Sequence, residues 1–289
     1  MILRKATATR LAAAAAWRGR SGNVEGVTDP VRLGGMALAN GVLVHGPNAW
    51  GCAVRLPDGR LKVASARKRF RAAGVTHPLL RGPARVAEVF ALLPQVKRAL
   101  PEAQLPLERP RVLAGTLAAA TGARLLRGAG GLSPAGRELA ATLLAVAPAI
   151  IALRGGELAA YHGAEHISIG TYEHGERRAK EHERCGSHLV GPLVATTAVG
   201  NVLAAYAPPH ARSAARLAAS LGAVAASTEL FAWMTRHPDN PLAKALARPG
   251  WHLQHGLSTD EPSPEQLEVA DAALHACLEL ETDGGRDRP

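Results

Sequence analysis

Two kinds of hydrophobic pattern divide the chain. Between Val31 and Ala66 the residues are rich in Gly and Val, and the stretch WGCAVRLPDGRLKVAS sets Pro57, Asp58 and Gly59 between two alternating runs. Alternation broken by Pro-Asp-Gly predicts a β-hairpin, because each of those three residues suits a tight reversal. From Pro78 the texture changes to long Ala/Leu segments interrupted by Gly and Pro, and strand-type residues thin out. Four apolar segments stand out: Val112 to Ala123, Leu139 to Leu153, Leu189 to Ala207 and Leu217 to Thr235. A fifth, Ser263 to Glu281, reads as an amphipathic helix started near Ser263 and Pro264. The expected fold class is mainly α, a bundle of four or five Ala-rich helices with a small N-terminal β-hairpin region.

The same pattern sets the expected divisions. The first 27 residues are Ala- and Arg-rich, with no apolar run flanked by a cleavage-type site, and are expected to be a disordered tail rather than a signal peptide. Residues 28–77 form a small β-rich region, 78–281 a helical, membrane-associated domain, and 282–289 a second disordered tail. The segment from Leu189 to Ala207 runs 19 residues without a formal charge, yet it holds Pro192, Thr196, Thr197 and Asn201, and the next segment carries Glu229. About 20 apolar residues cross a bilayer core, so these segments suit either a membrane or a soluble bundle. In a membrane, the basic N-terminal half would lie on the cytoplasmic side.

Composition narrows the classes. With 289 residues, 47% of them apolar, the chain is long enough to bury a core, which excludes a wholly disordered protein. Three cysteines, Cys52, Cys185 and Cys277, do not make a disulfide framework. The net charge of +10 includes runs such as Arg67, Lys68, Arg69 and Arg71. Only 3% of residues are aromatic, so stacking platforms are scarce and nucleic acid is not an expected partner. No phosphate-cradling loop, dinucleotide fingerprint or nucleophile elbow occurs.

The chemistry-bearing residues concentrate in one place. Five of the twelve histidines fall between His162 and His188, in YHGAEHISIGTYEHGERRAKEHERCGSH. His162 and His166 are four apart, so on a helix both imidazoles project from one face, and Glu165 makes the pattern H-x-x-E-H. In that order the two histidines bind a divalent metal, zinc in the usual case, and the glutamate serves as general base. Glu173 lies seven positions beyond His166 and returns to the same face if the helix continues through Gly170. His182 and Cys185, at i, i+3 spacing, suit a second pair of nitrogen and sulfur ligands. Glu229 has no opposite formal charge within five residues on either side. It is a candidate third ligand, a partner for a histidine, or a solvent-facing residue.

Several ordered blocks together resemble one family, the YqhQ-like bacterial proteins. They are residues 34–59 (GGMALANGVLVHGPNAWGCAVRLPDG), YHGAEHISIGTYEHG, HERCGS at 182–187, Ser227-Thr228-Glu229, and residues 249–274 (PGWHLQHGLSTDEPSPEQLEVADAAL). The resemblance implies a multispanning inner-membrane protein of the bacterial cell with a metal site and no assigned substrate. It carries the polar positions onto His162, Glu165, His166, Glu173, His182, Cys185, Glu229 and Gln254, the last as an amide orienting the ligands. Two departures stand out: Asn40 replaces the family's glutamate in the opening block, and Glu183 replaces the proline of H-P-R-C.

Three functions follow as expectations. The first is a membrane-associated metal-dependent hydrolase with Glu165 as base, acting on an unknown substrate beside membrane lipid. The second is a non-catalytic membrane scaffold, its helices stapled by a closed site of His162, His166, His182 and Cys185. The third is a transporter component with Glu229 on an ion path.

Overall fold

The computed structural model describes residues 30–128, 130–152 and 156–283. The expected tail at 1–27 lies outside the described residues, as do positions 284–289 of the tail expected at 282–289, whereas Thr282 and Asp283 belong to the last helix. Four strands, β1 (Gly34–Leu38), β2 (Gly41–His45), β3 (Ala49–Arg55) and β4 (Leu61–Arg67), form one antiparallel sheet in the order β1-β2-β3-β4. The expected hairpin is the β3–β4 reversal, where Gly59 takes φ of 81°, a conformation open to glycine at no steric cost. The β-region is thus a four-stranded meander, twice the size of the hairpin read from the sequence.

Alternate residues of the central strands face opposite ways and are covered on both faces. Leu38, Leu43, Trp50, Cys52 and Val54 meet Leu92, Val96 and Leu100 of helix α1 (Pro78–Ala99) and the residue that follows it. On the other face, Ala37, Val42, Val44 and Ala53 meet Leu158, Tyr161 and Ala164 of α4 (Gly156–His174). Val269, Ala270, Ala273, Leu274 and Cys277 of α8 (Pro264–Asp283) complete that face. Burial pushes the thiols of Cys52 and Cys277 up to about 12, so both behave as small apolar side chains.

The four apolar segments become α2 (Pro110–Gly128), α3 (Pro134–Ala152), α5 (Val190–Ala205) and α6 (Arg212–Arg236). They pack in sequence, α2 on α3, α3 on α5 and α5 on α6, and α6 then packs on α1. Glu138 of α3 holds the layer at one end, accepting from Arg127 of α2 and Arg216 of α6, each at 2.8 Å. Two helical stretches, Gly186–Ala205 and Pro209–Arg236, are long and apolar enough to cross a membrane by length and composition.

The helix count corrects the expectation of four or five: eight α-helices occur among the described residues, with α7 at Pro241–Leu253. Internal prolines or burial on all sides hid the helices outside the expected bundle, and α7 carries Pro249 inside it. α1 carries Pro83 and Pro94 inside it. α4 is buried on every side from Leu158 to Gly170, so its polar residues erase any amphipathic period.

Candidate metal centre

Helix α4 supplies the centre of the site because two neighbouring straps lie directly against it. A Cβ at Gly163 would stand 2.1 Å from the Asp260 carbonyl oxygen, so only glycine lets the strap after α7 approach. Asp260 N then donates to Ala159 O at 3.0 Å. That strap begins with a π-helical turn, Gln254–Ser258, and brings the Ser258 carbonyl to His162 Nδ1 at 2.7 Å. The second strap follows α4 and brings the Lys180 carbonyl to His166 Nδ1 at 2.6 Å.

These two bonds decide which imidazole atoms are available. A carbonyl only accepts, so each Nδ1 carries the proton and donates, leaving each Nε2 with its lone pair. Burial holds the His166 pKa well below 6.5, which keeps that imidazole neutral. This is the arrangement in which a backbone carbonyl orients a metal-binding histidine.

Cys185 completes the set. Its Sγ lies 3.5 Å from His162 Nε2, and the donor atoms of His162, His166 and Cys185 all lie within 4.8 Å of one another. Donors around a tetrahedral zinc stand roughly 3.3–3.7 Å apart, given bonds of about 2.0 Å to nitrogen and 2.3 Å to sulfur. The 3.5 Å pair lies in that range, and donors as far apart as 4.8 Å would draw in by about 1 Å around the ion. Burial raises the Cys185 thiol pKa, and a bound cation would reverse that shift by favouring the thiolate.

Glu165 stands beside the three donors, its Oε2 3.9 Å from both His162 Nε2 and His166 Nε2. Burial pushes its carboxyl up to about 8, with nearby Cys185 and Glu173 adding to the shift and His162 opposing it. The space for this carboxylate comes from the sheet. A Cβ at Gly35 of β1 would lie 2.2 Å from Glu165 Oε1, so the second glycine of the Gly34-Gly35 pair makes room for the acid.

Gln254 is fully buried and holds the Cys185 strap in place. Its Oε1 accepts from His182 N at 2.8 Å, and its Nε2 reaches Ser187 Oγ at 2.8 Å and His188 Nε2 at 3.0 Å. His188 is itself oriented by the Ala247 carbonyl, 3.0 Å from Nδ1. Cys185 then caps the 3-10 turn Gly186–Leu189 that leads into α5.

The remaining sequence candidates stand apart from the donor cluster. His182 Nδ1 accepts from Arg184 N at 3.2 Å, so its Nε2 carries the proton and donates to Glu173 Oε2, also at 3.2 Å. Glu173 is further paired with Arg184. His182 and Glu173 therefore satisfy each other and offer no free donor to the cluster. Glu229 is paired with Arg81 of α1, where it fastens α1 to α6; the partner was invisible in sequence because it lies 148 positions away. Asn40 occupies the β1–β2 turn, donating to Glu102 O at 3.1 Å and accepting from Gln104 N at 3.0 Å. Glu183 is exposed.

Sequence reasoning missed the carbonyls of Ser258 and Lys180, since backbone atoms leave no side-chain signature. Gly35 carried a visible signal in its glycine pair, whose meaning depended on a contact 130 positions away.

Residues 157–280 match the family described as "Protein of unknown function (DUF1385)". The chain is also similar to "Uncharacterized protein YqhQ" of Bacillus subtilis (strain 168), at 32% identity over 129 residues. That alignment covers 42% of this chain and 40% of the relative, so the chain spans about two fifths of the length of the curated protein it matches. No solved structure matches the chain. The block at 34–59 falls outside the family match, whereas His162, Glu165, His166, Cys185 and Gln254 all fall inside it. Through this C-terminal span the chain is similar to the YqhQ-like proteins of the DUF1385 family.

Proposed function

We propose that this chain is a membrane-associated, zinc-dependent hydrolase. The observation that carries the reading is the convergence of His162 Nε2, His166 Nε2 and Cys185 Sγ, with Glu165 equidistant from the two imidazoles. Three protein donors with a carboxylate alongside is the donor count of a catalytic zinc rather than a closed structural one. A zinc ion held by this set supplies Lewis acidity toward an oxygen of substrate or water.

The chain's own groups do the rest. The Ser258 and Lys180 carbonyls fix both rings in the tautomer that exposes Nε2, and Gln254 sets the strap that carries Cys185. A cation held by the neighbouring donors would oppose the burial that raises the Glu165 carboxyl and favour its carboxylate. Oε2 of that carboxylate accepts a proton from the attacking water and returns it to the leaving nitrogen or oxygen, so one water is consumed and one acyl bond is broken. Burial of Glu165 and the imidazoles keeps bulk water away from that proton.

The helical layer supports the membrane part of the reading. Leu113, Leu117, Leu143, Val199, Leu203, Leu217 and Leu221 are exposed along it. Helices of 19 residues, such as α2 and α3, are about 28 Å long, close to the roughly 30 Å of a bilayer core. Exposed Tyr206 marks one end of the layer, and Trp233, stacked on His237, marks the other, as aromatic belts do at the two interfaces. The basic sheet region then lies at the cytoplasmic surface of the inner membrane.

Elemental mass spectrometry of the purified protein tests the metal, beside a His162→Ala, His166→Ala variant prepared identically. The expected result is near-stoichiometric zinc in the parent and none in the variant. Glu165→Gln is expected to keep the zinc and lose hydrolysis by about 100-fold or more; zinc lost with that variant would make Glu165 a fourth ligand and favour a structural site.

A further inference from the structure

The hydrolase reading leaves its substrate class open, and β1 narrows it. β1 is an edge strand: β2 pairs with one side only, and among the described residues no backbone hydrogen bond reaches Gly34–Leu38 from the other. The β1–β2 connection is the two-residue turn Ala39-Asn40, which makes Leu38 and Gly41 a hydrogen-bonded pair. Pairs then alternate, so the N–H and C=O of Gly35 and Ala37 face outward. Ala39 obeys the same parity, since its outward N–H donates to Gln104 O at 3.0 Å. Ala37 is buried and Gly35 is exposed, so the accessible outward-facing residue is Gly35.

Gly35 is also the residue that lies against Glu165. Helix α4 packs under β1 and the neighbouring β2, while α8 takes β2, β3 and β4. The opposite flank of α4 is held by the straps bearing Lys180, Cys185 and Ser258. The outer edge of β1 and the Cys185 strap thus border the metal donors from two sides.

We infer that the substrate is an extended peptide that adds to the outer edge of β1 at Gly35, which lays its backbone across Glu165 and the His162–His166–Cys185 donors. This inference rests on the hydrolase reading. A strand added to a sheet lies about 4.8 Å from its neighbour, and such addition gives backbone affinity with little demand on sequence. The step is amide hydrolysis: the oxygen of one water bonds to the peptide carbonyl carbon, the C–N bond breaks, and the proton taken by Glu165 leaves with the amine. A free sheet edge beside a hydrolytic centre favours a peptide over a lipid, because it offers N–H and C=O groups that an acyl chain has no means to pair.

Zinc-loaded Glu165→Gln protein with β-casein, a source of unfolded segments, tests binding without turnover. Amide exchange at Gly35 is expected to slow on adding β-casein, while Gly34 and Met36, whose amides pair with β2, stay unchanged. The parent is expected to cleave β-casein, giving new amino termini. Unchanged exchange at Gly35 in zinc-loaded protein, with β-casein left intact by the parent, overturns the peptide substrate. Turnover of p-nitrophenyl acetate, or fatty acid release from phosphatidylethanolamine/phosphatidylglycerol vesicles, would in that case leave the hydrolase standing with another substrate. Failure to take up zinc overturns both readings together.

Discussion

The sheet with α1, α4 and α8 and the layer of α2, α3, α5 and α6 solve the problem of burial in opposite ways. In the first region Trp50, Leu43, Leu92, Leu158 and Val269 are almost wholly buried, and both faces of the sheet are covered by the chain itself. In the second, most buried apolar side chains are alanines, such as Ala119, Ala123, Ala141, Ala204 and Ala223, while many of the leucines, Leu113, Leu117, Leu143, Leu203, Leu217 and Leu221 among them, are exposed. Large side chains packed inside make a self-sufficient core, although the outer face of α1 still exposes Leu79, Leu80 and Phe90. Small ones inside and large ones outside let helices approach closely while presenting apolar surface to whatever surrounds them, as membrane helices do. His162, Glu165 and His166 belong to the first kind of region, where the surroundings are fixed enough to hold them in register, and Cys185 reaches them from the strap that leads into α5.

The largest expected effect comes from a close contact between two elements of the self-sufficient region. A Cβ at Gly51 of β3 would stand 2.3 Å from the Ala273 carbonyl oxygen and 2.5 Å from Cys277 N, both backbone atoms of α8. Neither can swing aside as a side chain tip can. Gly51→Ala is expected to destabilise this region by about 4 kcal/mol, at the top of the range for single substitutions. Amide exchange should show β2, β3 and α8 losing protection together while the α5–α6 pair keeps its own. Equal loss in both regions would show that they unfold as one unit and dissolve the contrast.

The second effect separates the regions by pH. His45 on β2 sits among Lys68, whose Nζ is 3.1 Å from His45 Nδ1, Glu88 of α1 and Glu281 of α8. Burial first, then Lys68, lowers its pKa to about 4, while Glu88 and Glu281 oppose the shift. Above pH 6.5 the ring is neutral in both folded and unfolded chains. As the pH falls below 6.5 the unfolded chain takes up a proton that the folded one resists until about 4, so stability declines across that window. A shift from 6.5 to about 4 corresponds to about 3 kcal/mol. Denaturant titrations at pH 7 and pH 4.5 should show most of that loss in the parent and a much shallower one in His45→Gln; parallel slopes would remove His45 as the cause.

The contrast between the regions also explains what the sequence made legible. The H-x-x-E-H spacing placed His162, Glu165 and His166 together because a single helix face is a local property. The Pro57-Asp58-Gly59 reversal was legible for the same reason. Gln254 came from the family resemblance, and its bonds to the Cys185 strap span 66 to 72 positions. Spacing offered His182, Glu173 and Cys185, the lack of a nearby opposite charge offered Glu229, and tertiary contacts separated them: His182 with Glu173, Glu229 with Arg81, and Cys185 with His162. The sheet's full extent stayed hidden because β2 and β3 are covered on both faces, which turns alternation into a continuous apolar run. The four apolar segments were readable as helices, but the outward direction of their leucines depends on which helices pack side by side.

The smallest expected effect is the most discriminating for the layer. Leu117 on α2 and Leu217 on α6 are exposed, at 61% and 64%, so cutting either to alanine removes little packing within the chain. In detergent micelles each substitution is expected to change stability by less than about 0.5 kcal/mol, against about 3 kcal/mol for Leu92→Ala in the sheet core. Thermal unfolding followed by circular dichroism gives the comparison directly. A loss at Leu117 or Leu217 as large as at Leu92 would mean that these leucines are packed against protein, so a second copy of the chain, and not lipid, would cover the layer. A negligible loss, joined to weaker retention in liposomes when both leucines are replaced by serine, would place acyl chains against them. The layer would then owe its apolar surface to its surroundings and the region around the sheet would owe its order to itself.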